Sequence, residues 1–247
     1  MSKSSISLTG VIPPIPTPFD ADGEVHHGAL VENLERWNQY DLTGYVVLGS
    51  NGEGVYLDEE EKVHVWETAR RAIPQEKLLI AGTGCESTRQ TIALTCRAAE
   101  AGADVALIVT PHYYKPKMTA DSLVRHYQAV ADAVPIPVMI YNVPAFTNVN
   151  MDAAAVARAA RHLSIVGIKD TSGNITQLAE TVRLVDSDFQ VLAGSAGFFL
   201  AGLAVGAVGG ILALANIAPA RALDIYLLFK EGRWDEAAEL QRRMIPV

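Results

Sequence analysis

The sequence predicts an α/β protein of the TIM (β/α)8 barrel type, and three observations carry that prediction. Eight short, β-branched apolar runs recur along the 247 residues. Each is followed by a longer stretch in which apolar and charged residues return at helical spacing. The runs are continuously apolar rather than alternating, as expected of strands buried on both faces of a parallel sheet, and a count of eight favours a closed barrel over an open sheet.

In chain order the predicted strands are 11–15, 45–48, 78–81, 105–109, 138–141, 165–169, 190–193 and 210–214. The predicted helices between them are 28–40, 58–72, 87–101, 119–133, 151–161, 175–185 and 197–205, and Asp58, Ser87 and Thr119 stand where N-caps are expected. An eighth helix is predicted over 219–231 and a further amphipathic one over 233–244. Residues 1–232 thus read as the barrel and 233–247 as the start of a C-terminal helical region. A doubly wound open sheet is the alternative, but no G-x-G-x-x-G follows the first strand and no G-x-x-x-x-G-K-[ST] occurs.

Composition narrows the function. The chain carries 20 Lys+Arg against 28 Asp+Glu, a formal net charge of −8, without a basic block. Nucleic acid and anionic membrane are therefore not expected partners, and a small-molecule site is the default. With only Cys85 and Cys96, no disulfide framework or cysteine metal site can form within one chain, and a reducing, cytoplasmic compartment is expected. The lead, residues 1–10, lacks the apolar core of a secretory signal. The most apolar stretch, 198–218, is interrupted by Gly202, Gly206, Gly209, Gly210 and Asn216, so no membrane span is expected. The six histidines are scattered without ligand spacing, and neither metal nor cofactor is expected.

A barrel of this kind keeps its chemistry where strands end. Lys169 closes the run Ile165-Val166-Gly167-Ile168-Lys169, and period-two alternation puts it on the face of Gly167, expected to be the crowded interior. A desolvated amine there has a lowered pKa and can attack a ketone to form a Schiff base; the same position also suits a lysine whose stem reaches up to solvent. Tyr141 ends the neighbouring strand, where a phenol could relay protons or simply pack. Ser50 and Asn51 lie between glycines, which suits either an anion-binding turn or a turn with no function. Glu53 reads as a loop anchor, His112 as a residue near the mouth, and Cys85 as packing rather than a nucleophile.

Four strings at these strand ends, Gly49-Ser50-Asn51-Gly52-Glu53, Val109-Thr110-Pro111-His112-Tyr113-Tyr114, Tyr141-Asn142-Val143-Pro144 and Gly167-Ile168-Lys169-Asp170, resemble the dihydrodipicolinate synthase / N-acetylneuraminate lyase superfamily of pyruvate-dependent class I aldolases. The resemblance runs from about Gly10 to the end of the chain. It implies that Lys169 forms the Schiff base with pyruvate and that Tyr141 transfers the proton. It also implies that Ser50 links Tyr141 to Tyr113 of a neighbouring subunit, in a homotetramer built as a dimer of dimers. Asn51 would hold the pyruvate carboxylate, Gly194 and Ile211 would line the same pocket, and Thr171 would contact the distal part of the substrate.

Within the superfamily the branch resembled most is 4-hydroxy-2-oxoglutarate aldolase, which gives pyruvate and glyoxylate. Ser50-Asn51, residues 81–88, residues 188–198 and residues 206–216 carry that likeness. The alternatives are 4-hydroxy-tetrahydrodipicolinate synthase, which condenses pyruvate with aspartate semialdehyde, a 2-keto-3-deoxy sugar-acid aldolase, and a catalytically silent barrel that binds a 2-oxo acid. Phe146 stands where dihydrodipicolinate synthases place an arginine for the distal carboxylate, and a phenyl ring cannot make that pair. The family also continues into a longer helical C-terminal region, so the extension is expected to be truncated here.

Overall fold

In the computed structural model, which describes residues 6–247, the eight strands are β1 (Gly10–Ile12), β2 (Gly44–Val47), β3 (Leu78–Gly82), β4 (Val105–Val109), β5 (Val138–Asn142), β6 (Ile165–Asp170), β7 (Gln190–Ala193) and β8 (Gly209–Ile211). The first five residues of the lead lie outside the described residues. All neighbouring strands pair in parallel, in the order β1-β8-β7-β6-β5-β4-β3-β2. The ring closes between β1 and β2 through a bridge of Pro14 to Val46, where Val46 N–H donates to Pro13 O at 3.0 Å and Ile15 N–H donates to Val46 O at 2.9 Å. Pro13 and Pro14 have no N–H to donate, which is why β1 stops at Ile12 rather than running to residue 15. The last strand is also shorter than predicted, because Ala213–Asn216 tighten into a 3-10 turn.

The helices follow the strands: α1 (His27–Trp37), α2 (Glu59–Ala72), α3 (Thr88–Glu100), α4 (Ala120–Ala133), α5 (Pro144–Thr147), α6 (Ala153–Ala159), α7 (Ile175–Leu184), α8 (Phe199–Ala204), α9 (Pro219–Lys230) and α10 (Trp234–Met244). Asp58, Ser87 and Thr119 cap α2, α3 and α4 through their side chains, and Asp58 with Glu61 completes a reciprocal capping box. Each such cap stabilises its helix by about 1 kcal/mol. The predicted helix at 151–161 is trimmed to α6 because Asp152 acts as its N-cap. The short α5 does not appear in the sequence reading; Pro144 opens it and left-handed Asn148, at φ 52°, ends it. No helix among the described residues is long and apolar enough to cross a membrane.

Inside the ring, Leu8 plugs the lower end and Ile12, Val46, Ile80, Leu107, Met139, Leu192 and Ile211 fill the interior, all buried. A side chain at Gly167 would strike the Gln190 carbonyl and press on Leu8, so the Gly167 face is indeed the crowded interior. At the upper end, Gln241 of α10 donates to Ala196 O at 2.8 Å and accepts from Leu200 N–H at 3.2 Å, which fastens α10 beside the mouth.

Candidate active site

Parallel pairing of β5 with β6 sets Tyr141 opposite Lys169. Both side chains point into the mouth, and Lys169 Nζ lies 4.1 Å from the centroid of the Tyr141 ring. Lys169 is only 2% exposed, so its stem does not carry the amine to solvent. No carboxylate pairs with it among the described residues, and burial pulls its pKa down to about 7. Near neutrality a substantial fraction is therefore free amine, which is the nucleophilic form.

The adjacent carboxylate points the other way. Asp170 faces out of the barrel, where it accepts from Ser172 N–H at 2.7 Å and Gln177 Nε2 at 3.0 Å. Asn142 donates to Asn150 Oδ1 at 2.9 Å and accepts from Met151 N–H at 3.0 Å. This buried network ties the ends of β5 and β6 to α7. It fixes the strand ends that carry Tyr141 and Lys169 while leaving the amine without a counter-ion.

Tyr141 is largely buried, which raises its phenol above the usual value, and its hydroxyl lies 3.3 Å from Ser50 Oγ. A cavity of about 490 Å³ opens above the pair. Asn51, Thr171, Gly194 and Phe146 line it together with Lys169 and Tyr141. Thr171 Oγ1 is buried at the cavity beside the Tyr141 hydroxyl, whose pKa it offsets downward, and makes no other side-chain hydrogen bond. Gly194 makes room for it: a Cβ there would overlap the Thr171 hydroxyl and come within 2.7 Å of the Asp170 carbonyl.

Ile211 lies deeper, fully buried in the barrel interior with Tyr141 rather than in the cavity wall. Ser50 borders a second, smaller cavity of about 110 Å³ on the far side of Tyr141. Tyr113 is 74% exposed, stacks edge-on against Tyr114 and does not line the cavity that holds Lys169. Its loop is held by Glu86, whose carboxylate accepts from the N–H groups of His112 at 3.0 Å and Tyr113 at 2.8 Å. Burial raises the Cys85 thiol, and its S–H turns to Thr83 O, which fits packing rather than nucleophilic use. Among the described residues no group of three or more metal-ligating side chains occurs.

Sequence reasoning did not single out the rest of the rim. Ile217, Met244 at the end of α10 and Ile245 just after it close the outer side of the cavity. Their position depends on how α10 folds back, for which the local sequence carries no signal. Glu86 follows β3 closely, but its role requires the loop after β4 to lie beside it.

The sequence pattern of the Dihydrodipicolinate synthetase family matches residues 7–247. A 4-hydroxy-tetrahydrodipicolinate synthase from Syntrophus aciditrophicus is 39% identical over 238 residues, covering 96% of this chain and 81% of the relative. Among solved structures, the 4-hydroxy-tetrahydrodipicolinate synthase of Methylacidiphilum fumariolicum superposes with a TM-score of 0.93 at 30% identity, over 97% of this chain and 79% of that one. The dihydrodipicolinate synthase of Acinetobacter baumannii, complexed with pyruvate, superposes with a TM-score of 0.91 at 33% identity, over 96% and 80%.

Proposed function

The chain belongs to the dihydrodipicolinate synthetase family of pyruvate-dependent lyases, and within it we propose that Lys169 captures pyruvate as a Schiff base while Tyr141 moves the protons. The observation that carries this reading is the buried, unpaired amine of Lys169 registered beside the Tyr141 phenol at the open end of the barrel. The neutral amine adds to the ketone carbon, and loss of water leaves a protonated imine. That imine is an electron sink: it releases a methyl proton to give an enamine, which attacks an aldehyde carbon as the aldehyde oxygen takes up a proton. Water then hydrolyses the imine and frees Lys169. Run backwards, the same steps cleave a 4-hydroxy-2-oxo acid to pyruvate and an aldehyde.

Asn51 and the adjoining turn are assigned to the pyruvate carboxylate, Thr171 to the hydroxyl or distal part of the second substrate, and Ser50 to the proton path at Tyr141. Tyr113, exposed in one copy, would complete that path in a neighbouring copy of a dimer within a tetramer.

For the second substrate, the relatives named above support aspartate semialdehyde, making the chain a 4-hydroxy-tetrahydrodipicolinate synthase. A second reading, 4-hydroxy-2-oxoglutarate cleavage, rests on the Ser50-Asn51 string; Phe146 does not separate the two, because 4-hydroxy-2-oxoglutarate carries a distal carboxylate as well. Among the described residues Lys169 is the only charged side chain lining the cavity, so none of them offers a distal carboxylate a guanidinium there. The two are separated by assaying pyruvate release from 4-hydroxy-2-oxoglutarate beside pyruvate consumption with aspartate semialdehyde. Whichever pair gives the higher kcat/KM identifies the partner, and turnover of neither with pyruvate bound would point to a silent binding barrel.

A further inference from the structure

We propose that Thr17 and Leu48 are positioning residues that preset the turn assigned to the pyruvate carboxylate, an inference that rests on the reading of the cavity as a pyruvate site. Directly after β2 the chain turns sharply at Leu48, whose φ is 60°. A buried leucine has no short polar side chain to compensate this left-handed conformation, and it persists only where the surroundings enforce it. Gly54 and Gly82 provide the space: a Cβ on Gly54 would stand 2.8 Å from the Leu48 carbonyl, and one on Gly82 would overlap it.

From the other side, Thr17 reaches across from the loop after β1. Its hydroxyl, in a residue only 6% exposed, donates to Gly52 O at 2.6 Å. Glu53, also left-handed at φ 54°, closes the turn. Residues 48–54 are thus constrained at both ends, by the loop after β1 and by the end of β3. Within them Gly52 N–H donates to Gly49 O, while the N–H groups of Ser50 and Asn51 donate to no acceptor among the described residues. The constraint therefore holds two unused backbone donors and the Asn51 amide at the edge of the cavity, and the Ser50 hydroxyl against Tyr141, before any substrate arrives, which is what preorganisation requires.

The test compares Thr17→Val, which keeps the shape and removes the donor, with Thr17→Ser, which keeps the donor. Thr17→Val is expected to raise the pyruvate KM about tenfold, the order set by one buried hydrogen bond, with a smaller change in kcat. Amide exchange at residues 49–54 should quicken in that variant while exchange in β5 and β6 stays unchanged. Thr17→Ser should return KM to near the parent value. Gly54→Ala, which disturbs the Leu48 carbonyl independently, should move KM in the same direction. An unchanged KM and unchanged exchange in Thr17→Val, or a fall confined to kcat, overturns the proposal. Borohydride with pyruvate on the parent protein separates the failures: a label on Lys169 beside an unaffected Thr17→Val sinks this inference alone, whereas no label sinks the pyruvate reading and this inference with it.

Discussion

The two walls of the cavity are built from different materials. The inner wall is made of strand ends and a constrained turn: Lys169 and Tyr141 are locked by the β5–β6 register, and Gly194 hydrogen-bonds through its N–H to Asp170 O at 2.7 Å. The outer wall consists of apolar side chains on the one-turn α5 and on chain after β8 and at the end of α10, with Phe146 and Ile217 each 71% exposed. Displacing an inner residue means moving the sheet, whereas an outer residue can be exchanged with little effect on the core. On the proposed reading, the barrel fixes the chemistry on the 2-oxo acid and the rim is where its partner would be selected.

Substitutions should break this contrast in order of depth. Lys169→Met is expected to lower turnover by at least about 10³-fold, read as kcat with either substrate pair, since no other amine of the described residues lines the cavity. Tyr141→Phe should lower kcat by roughly 10²-fold and disturb the pyruvate KM less, because it removes a proton path rather than the capture site.

The same burial that activates Lys169 has a cost in stability. Its pKa of about 7 in the folded chain lies below the 10.5 of an exposed lysine, so between these values the unfolded chain binds more protons and stability rises with pH. Below pH 7 the penalty is fully present, and Lys169→Met should stabilise the protein by on the order of 3 to 5 kcal/mol, a gain that shrinks towards pH 10.5. Denaturant melts of both proteins at several pH values measure it. On the outer wall, Phe146→Arg should lower the KM of an aldehyde bearing a carboxylate about tenfold and leave the pyruvate KM unchanged. Equal effects on both substrates would erase the distinction between the walls.

What the sequence reveals follows the same division. Strands buried on both faces leave unbroken apolar runs, so all eight strands were legible, and Lys169 and Tyr141 stood out as polar groups ending such runs. The ends of the first and last strands were misplaced although Pro13 and Pro14, which cannot donate to a ladder, signalled the first. Leu48 carries no mark of its left-handed backbone, because that conformation is imposed by glycines distant in sequence or beyond the turn. The Asp170, Asn142 and Gln177 network was hidden for another reason: its members lie on different elements and meet only once α7 packs against the sheet. Phe146 was legible as a departure from the family, but its exposed setting on α5 required the fold.

The account turns on a free amine at Lys169 capturing pyruvate, and borohydride reduction with pyruvate, followed by mass-spectrometric mapping, tests it most directly. It predicts a single reduced pyruvate adduct on Lys169, formed faster as pH rises through about 7 and absent from Lys169→Met. An adduct on another lysine, or none at saturating pyruvate, would contradict it.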